Sequence, residues 1–461
     1  MDYIKTHRLA FFFALFGVLL YGAFSYDLQR HDFVKLITLV VALFFVTYQL
    51  IKLFGWNFWL LAGIGVVFRF VFLPTTPNLS QDFFRFLWDG RLVLQGINPY
   101  LITPEVYLEA GNEVVPQAQE LYKGMGALNG SHFSNYPPLN QLCFAIASLF
   151  TSHSIIGSVI GLRLIIIAAD LGILYFGKKL LEGLKLPVKN VFWYFLNPFI
   201  IIELTGNLHF EGVMLFFLVA SLYLLWKGKW AWAAALLGLS ISVKLIPLLL
   251  LPLFFQLFVK KGAIGKGLWT LTRFYLVALM TVFISFAPFL SSEFIANFTA
   301  TISLWFQNFE FNASIYYIIR WIGFQTIGWN IIAEVGKILP LVIILLLILL
   351  AFFRKNDSLQ PLITCLLFGI CIYLLLSTTV HPWYVATPLI LSIFTKYKFP
   401  VLWSLLVMLS YSAYQLDGFS ENLWLVALEY TGVLSYFVWE VFFRKKQNMK
   451  QFQKKEPITT Y

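Results

Sequence analysis

Cysteine is scarce in this chain of 461 residues: Cys143, Cys365 and Cys371 sit in apolar context, too few and too scattered for a disulfide framework or a metal-ligand spacing. They read as small core residues. Charge is scarce too, at 12% of residues against 60% hydrophobic, and the mean hydropathy is +0.79, which excludes an ordinary soluble protein. The phosphate loop of nucleotide-binding proteins is missing, since Gly262-Ala-Ile-Gly-Lys-Gly267 lacks its spacing. Neither His-Glu-x-x-His nor Gly-x-Ser-x-Gly occurs, so zinc-peptidase and serine-hydrolase chemistry have no carrier. No cofactor is indicated and no metal site is assigned, and internal repeats and low-complexity linkers are absent.

What the chain has in excess is apolar runs. With about 20 apolar residues needed to span a bilayer and fewer where a helix is tilted or broken, fourteen runs are candidate crossings. They are residues 9–26, 36–51, 56–73, 155–176, 191–204, 212–226, 230–243, 245–259, 268–289, 331–353, 362–377, 383–394, 401–416 and 423–443. The run 139–150 is assigned to an interfacial helix, because counting it as a crossing would carry the lysines at 178–189 to the opposite side. The fold class is therefore all-α and polytopic. Residues 1–55 form an N-terminal membrane hairpin, 56–443 a membrane core, and 444–461 a basic cytoplasmic tail.

A net charge of +11 would suit nucleic acid if it were gathered on one face. Instead Lys and Arg fall in alternate short links: Lys52, Lys178, Lys179, Lys185, Lys189, Lys227, Lys229, Lys260, Lys266, Arg354, Lys355, Lys396 and Lys398. That is the positive-inside pattern, so nucleic acid is not a partner and membrane lipid is. Acids dominate the other side, from Asp27, Asp32, Asp82 and Asp89 to Asp417 and Glu421. The polar groups that do not suit a bland membrane helix all fall there as well: Asp82, Asp89, Glu203, His209, Glu211, Lys244 and His381. This places the expected site on the periplasmic face of a bacterial inner membrane.

The most informative stretch runs from Ser80 to Tyr100. Ser80 can cap a helix and Gly96 with Pro99 can end it. Within it Asp82, Arg85 and Asp89 share one stripe, so a charged face is expected on a greasy helix lying on the membrane surface. Outside the cytoplasm there is neither ATP nor nucleotide sugar, so an enzyme facing that way takes its activated substrate from the bilayer. A sugar on a polyprenyl phosphate is such a substrate. Its transfer needs a base for the acceptor hydroxyl and cations for the departing phosphate.

Ser80-Gln-Asp-Phe-Phe-Arg-Phe-Leu-Trp-Asp-Gly90, followed by Gly96-Ile-Asn-Pro-Tyr100, resembles the first outer loop of the GT-C glycosyltransferases. The nearest resemblance is to polyprenol-phosphomannose-dependent alpha-mannosyltransferases. Supporting matches are Asn135-Tyr-Pro-Pro-Leu139, Asn197-Pro198, Gly206-Asn-Leu-His-Phe-Glu-Gly212, Val243-Lys-Leu-Ile-Pro247 and His381-Pro-Trp-Tyr384. The resemblance implies inverting transfer of a sugar, mannose by analogy, from a polyprenyl-phosphate donor to a glycan or lipid-linked acceptor. It maps the catalytic base onto Asp82. The paired acidic motif of some branches is absent, because Gln81 precedes Asp82, which puts a metal requirement in doubt.

Each candidate has a structural alternative. Asp82 is either the base or an acid favoured by the helix dipole, and Asp89 is the rival base or a partner of Arg85. Lys244 is a phosphate clamp or a snorkelling lysine, and His381 a catalytic donor or a loop histidine beside Trp383. His209, Glu211 and Asn207 make an acceptor-binding loop or a merely polar one. Arg163 is expected to pair with Asp170 and to assist with phosphate, while Tyr136 stiffens the chain or touches substrate. Trp88 and Trp305 stack on sugar or lipid, or belong to the interfacial belt. The rival from another class is a transporter or flippase of a lipid-linked or anionic solute, which intramembrane charge and broken helices would equally suit.

Overall fold

The computed structural model describes residues 7–444, apart from 113, 150, 152 and 261 and the side chains of 305–308. The expected basic tail beyond Arg444 lies outside the described residues. Helix dominates, and the strands among the described residues are one two-residue hairpin, Tyr414–Gln415 with Gly418–Phe419. The polytopic all-α class follows directly: in lipid the backbone has no water to bond, so each segment satisfies its own amides.

Helical structure occupies all fourteen apolar runs. Seven helices are long and apolar enough to cross a membrane, and an eighth crossing results if Pro198–Gly206 and Glu211–Trp226, bent by 116°, count as one. The others are short: Phe58–Val71, Trp230–Val243, Ile246–Phe258 and Phe399–Ala413, with Pro382–Val385 running into Ala386–Ser392. By length and composition alone, seven or eight helices qualify as full crossings, and the shorter runs of the expected fourteen fall below that length. At 1.5 Å per residue a 14-residue helix reaches only about 21 Å, less than the thickness of the hydrocarbon core.

Contacts gather the basic links at one end of the bundle. Lys178 Nζ lies 4.5 Å from the Phe58 ring, Asn190 Nδ2 donates to the Ile393 carbonyl at 3.2 Å, and Arg444 donates to the Lys396 carbonyl at 2.8 Å. At another place the end of the first helix and the link after it meet the long loop, where Asn78 Nδ2 donates to the Phe24 carbonyl at 2.8 Å and the Leu28 carbonyl at 3.2 Å.

The Asp82–Leu94 helix is not on a surface. Ser80 Oγ does accept the Asp82 amide, at 3.3 Å, and Gly96 adopts a φ of +72° after the last turn. Yet Phe83, Arg85, Leu87, Trp88, Asp89 and Leu92 are all buried, because the helices Ala118–Gly130 and Pro138–Ser148 close over it. Gly90 makes this possible: a Cβ there would sit 2.5 Å from the Phe144 carbonyl oxygen. Pro138–Ser148, expected at the interface, packs internally against Asp82–Leu94, Ile155–Gly183 and Trp230–Val243.

Arg163 and Asp170 do not pair. Seven residues along a helix separate them by about 10 Å, and each has a nearer partner. Asp170 Oδ2 bonds Arg69 Nε at 2.8 Å, with both side chains fully buried, and Tyr194 hydroxyl donates to its other oxygen at 3.3 Å. Arg163 spreads over backbone carbonyls, including Thr75 at 2.7 Å, Thr205 at 2.8 Å and Gly206 at 2.8 Å. It thereby holds the end of the Phe58–Val71 helix against the 201–206 turn. Removing one partner of a buried ion pair strands the other charge, which costs about 3–5 kcal/mol. Asp170→Ala is therefore expected to lower the melting temperature in detergent sharply, and the double change Arg69→Met with Asp170→Leu to recover much of it; equal melting of the single variant and the parent would show that the pair holds nothing.

Candidate active site

The helix breaks converge on one cavity of about 550 Å³, within the usual range of ligand sites. Its wall brings together Asp82, Arg85, Tyr136, His209, Lys244 and His381, residues spread over 300 positions of sequence. Each arrives by a local feature. Asp82 is the first residue of its helix. Lys244 is extended, with φ −144° and ψ 137°, between the end of Trp230–Val243 and the Pro247-led segment Ile246–Phe254. His209 stands at the tip of the bent pair, next to Leu208 at φ +63°. His381 precedes Pro382 just after the helix Leu359–Leu376.

The carboxyl of Asp82 lies above the ordinary carboxylate range because burial disfavours its charge. Lys244, Arg30 and a hydrogen bond from Asn129 oppose that rise. Lys244 Nζ sits 3.1 Å from Glu211 Oε1, in front of the Tyr136 ring at 5.7 Å. The Glu211 side chain is fully buried behind it. Burial, with Lys244 and Arg30 as neighbouring cations, lowers the His381 imidazole to about 3. At neutral pH it is therefore uncharged, so it can donate a hydrogen bond to an anion but cannot neutralise one. Its Nδ1 is buried without a partner among the described residues.

The His381 ring stacks on Trp383 at 4.6 Å and 7°, and Trp383 stacks on His209 at 3.5 Å and 17°. Trp383 thus stacks with both imidazoles, which restrains the two rings. On its far side His209 Nε2 lies 3.6 Å from Glu203 Oε2, and Tyr411 donates to the other Glu203 oxygen at 2.8 Å.

Other candidates lie away from the cavity wall. Asp89 is fully buried and accepts from Arg85 at 2.8 Å, Ser134 at 2.5 Å and Gln141 at 3.1 Å. A carboxylate so occupied pins Arg85 and the 129–134 segment, whose carbonyls of Asn129 and His132 Arg85 also bonds. Arg85 therefore links Asp89 to that segment rather than to Asp82. Asn207 joins backbone pieces, accepting the Leu79 amide at 3.0 Å and donating to the Ile202 carbonyl at 3.1 Å. Arg163 is consumed by carbonyls, as above. Trp88 is buried edge-on to Tyr107 at 5.4 Å, and the Trp305 side chain lies outside the described residues. Among the described residues no group of three or more His, Cys, Asp or Glu is gathered as a metal would require.

Sequence reasoning missed Arg30, Asn129, Glu310, Phe311 and Tyr414 on the same wall. Arg30 belongs to no motif, and its link, residues 27–35, holds Asp27 and Asp32 together with His31 and Lys35, so its charge alone does not mark it out.

Residues 34–260 match the family model described as the N-terminal domain of alpha-(1->6)-mannopyranosyltransferase. Among curated proteins, alpha-(1->6)-mannopyranosyltransferase B of Corynebacterium glutamicum is 28% identical over 183 residues, 36% of this chain and 29% of that protein. Alpha-(1->6)-mannopyranosyltransferase A of Mycobacterium tuberculosis is 22% identical over 334 residues, 69% of this chain and 61% of that protein. The resemblance is to mannosyltransferases. It agrees with the GT-C resemblance carried by the 80–100 stretch. The chain spans less than two thirds of the length of either relative. Asp82, Arg85, Tyr136, His209 and Lys244 fall within the family match, whereas Arg30, His381 and Tyr414 fall outside it.

The two carboxylates of the 82–94 helix differ in a measurable way. Asp89 is fully bonded, so Asp89→Asn is expected to lower thermal stability. Asp82 carries a charge that burial penalises, so Asp82→Asn is expected to melt at or above the parent temperature. Thermal melts of both variants in one detergent test this, and an Asp82→Asn protein less stable than Asp89→Asn contradicts the assignment.

Proposed function

We propose that this chain transfers a sugar, most simply mannose, from a polyprenyl-phosphate donor to a hydroxyl of a glycan or lipid-linked acceptor at the outer face of a bacterial inner membrane. The convergence of Asp82, Lys244 and His381 on one cavity carries this reading. The family match and the two relatives supply the sugar. A second feature supports a lipid donor: an apolar cleft lined by Leu249, Leu339, Pro340, Ile343 and Ile344 shares Tyr373, Ser377 and Thr378 with the main cavity. A prenyl chain lying in that cleft would hold its phosphate toward Lys244.

In the reaction the acceptor oxygen forms a bond to the sugar anomeric carbon as that carbon's bond to the phosphate oxygen breaks. The acceptor proton passes to Asp82, and the polyprenyl phosphate leaves with the bond's electron pair. Attack opposite the leaving group inverts the anomeric centre. Burial raises the basicity of Asp82 above that of an ordinary aspartate, which suits a base that has to accept a proton in the transition state. Lys244 lies near the leaving oxygen and His381 donates a neutral N–H. The gathering of basic links at one end of the bundle supports an outward-facing cavity.

The test is to incubate purified protein with polyprenyl-phosphate mannose and other polyprenyl-phosphate sugars and to analyse the product linkage. Asp82→Asn is expected to lower kcat by about 10²–10⁴. Because the base acts deprotonated and its pKa is raised, kcat/KM is expected to rise with pH through a limb above the ordinary aspartate value of about 4. Normal transfer by Asp82→Asn would remove it as the base; a limb at or below that value would remove the raised pKa.

A further inference from the structure

The charge arithmetic of the cavity is incomplete without a residue from the first hairpin. Three strongly basic side chains line it: Arg30, Arg85 and Lys244. Arg85 is bound to Asp89 at 2.8 Å and Lys244 to Glu211 at 3.1 Å, so both arrive with their charge largely answered. His381 is neutral, as derived above. Arg30 makes no ion pair with a carboxylate among the described residues. It stands in the turn between Arg8–Asp27 and Phe33–Phe54, with its guanidinium 3.4 Å from the centre of the Tyr414 ring. Its Nε is buried and unpartnered. The stacked ring holds the guanidinium plane while leaving its N–H edge for a ligand.

The ligand's charge grows during the proposed reaction. A sugar–phosphate–lipid diester carries one negative charge, and when the carbon–oxygen bond breaks the departing monoester carries two. The acceptor proton that balances this goes to Asp82. A cation whose charge is already answered by a carboxylate gives less to the second charge than an unpaired one. A guanidinium also meets phosphate with two parallel donors, which an ammonium cannot.

Resting on the donor chemistry proposed above, we infer that Arg30 is a phosphate-binding residue of this site, contacting the donor phosphate and taking up the charge that develops as the lipid phosphate leaves. The N-terminal hairpin, expected to stand apart from residues 56–443, then forms part of the active site. Tyr414 acts as the platform that positions Arg30.

Three probes test this on purified full-length protein in nanodiscs: polyprenyl phosphate, the uncharged polyprenol of the same length, and inorganic phosphate, with binding followed by tryptophan fluorescence. Arg30→Ala is expected to weaken polyprenyl phosphate binding by about tenfold or more, Arg30→Lys to recover part of it, and both to bind polyprenol as the parent does. Inorganic phosphate is expected to compete only weakly; competition as strong as that of the lipid would overturn the lipid source of the phosphate. Retained polyprenol binding also reports that the variants are folded, and should Arg30→Ala not fold, Arg30→Lys against Arg30→Gln gives the same contrast. Parent-like binding of polyprenyl phosphate by Arg30→Ala or Arg30→Gln overturns the assignment. The two proposals fail separately. Binding that depends on Arg30 in a protein transferring no sugar removes the transferase reading alone, whereas undiminished transfer by Arg30→Ala removes only the role of Arg30.

Discussion

Enclosing charge in a protein surrounded by lipid costs several kcal/mol per group unless something answers it, and most of this structure follows from that constraint. Arg69 is answered by Asp170, Arg163 by a fan of carbonyls, and Asp89 by Arg85, Ser134 and Gln141. Glu440 accepts the Lys398 and Phe399 amides at 2.7 and 2.9 Å, and Glu429 accepts the Trp403 indole N–H at 2.8 Å. These groups tie distant segments together, and of them only Arg85 and Ser134 reach the large cavity. Among the groups that line the cavity, Asp82, Arg30 and the Nδ1 of His381 are left incompletely answered. Open polar valences in a native protein concentrate where a ligand is meant to complete them.

The same constraint explains why so many helices are short. An unbroken span would carry Lys244 and His209 into an apolar layer. Ending Trp230–Val243 early, and bending Pro198–Gly206 against Glu211–Trp226 by 116°, instead leaves the chain ends and their polar side chains inside the protein. The backbone groups freed there are satisfied locally: Asn140 Nδ2 donates to the Val243 carbonyl at 2.7 Å, and Asn207 bridges two pieces of chain. Asn140 and Asn207 thus act on the scaffold, holding open the breaks from which Lys244 and His209 project.

Much of this was legible from residue order alone. Apolar runs located the helices, and the intramembrane charges marked the breaks, because a lysine at position 244 between leucine-rich segments has no cheap explanation. Spacing within one helix was a poorer guide to partners. Arg85 does pair with Asp89 one turn on, but Arg163 and Asp170 share a stripe and take their partners from elsewhere, through contacts that helical periodicity does not encode. The enclosure of the 82–94 helix was equally invisible, since a helix with a charged stripe reads the same whether that stripe meets water or a buried Ser134 and Gln141. Arg30 was hidden for a different reason: it lies outside every motif, and only the packing of Tyr414 beside it reveals its direction.

Under the proposed reaction the electrostatics of the cavity would change little. At rest Arg30 and Lys244 both favour the ionised form of Asp82. In the proposed reaction the acceptor proton neutralises Asp82 while the departing phosphate gains one negative charge. The sum over the cavity is unchanged, and the negative charge has only moved within reach of the same two cations. In a low-dielectric enclosure creating net charge would cost far more than relocating it. The pairing of Lys244 with Glu211 fits this economy: it answers one of the two cations and leaves Arg30 for the phosphate.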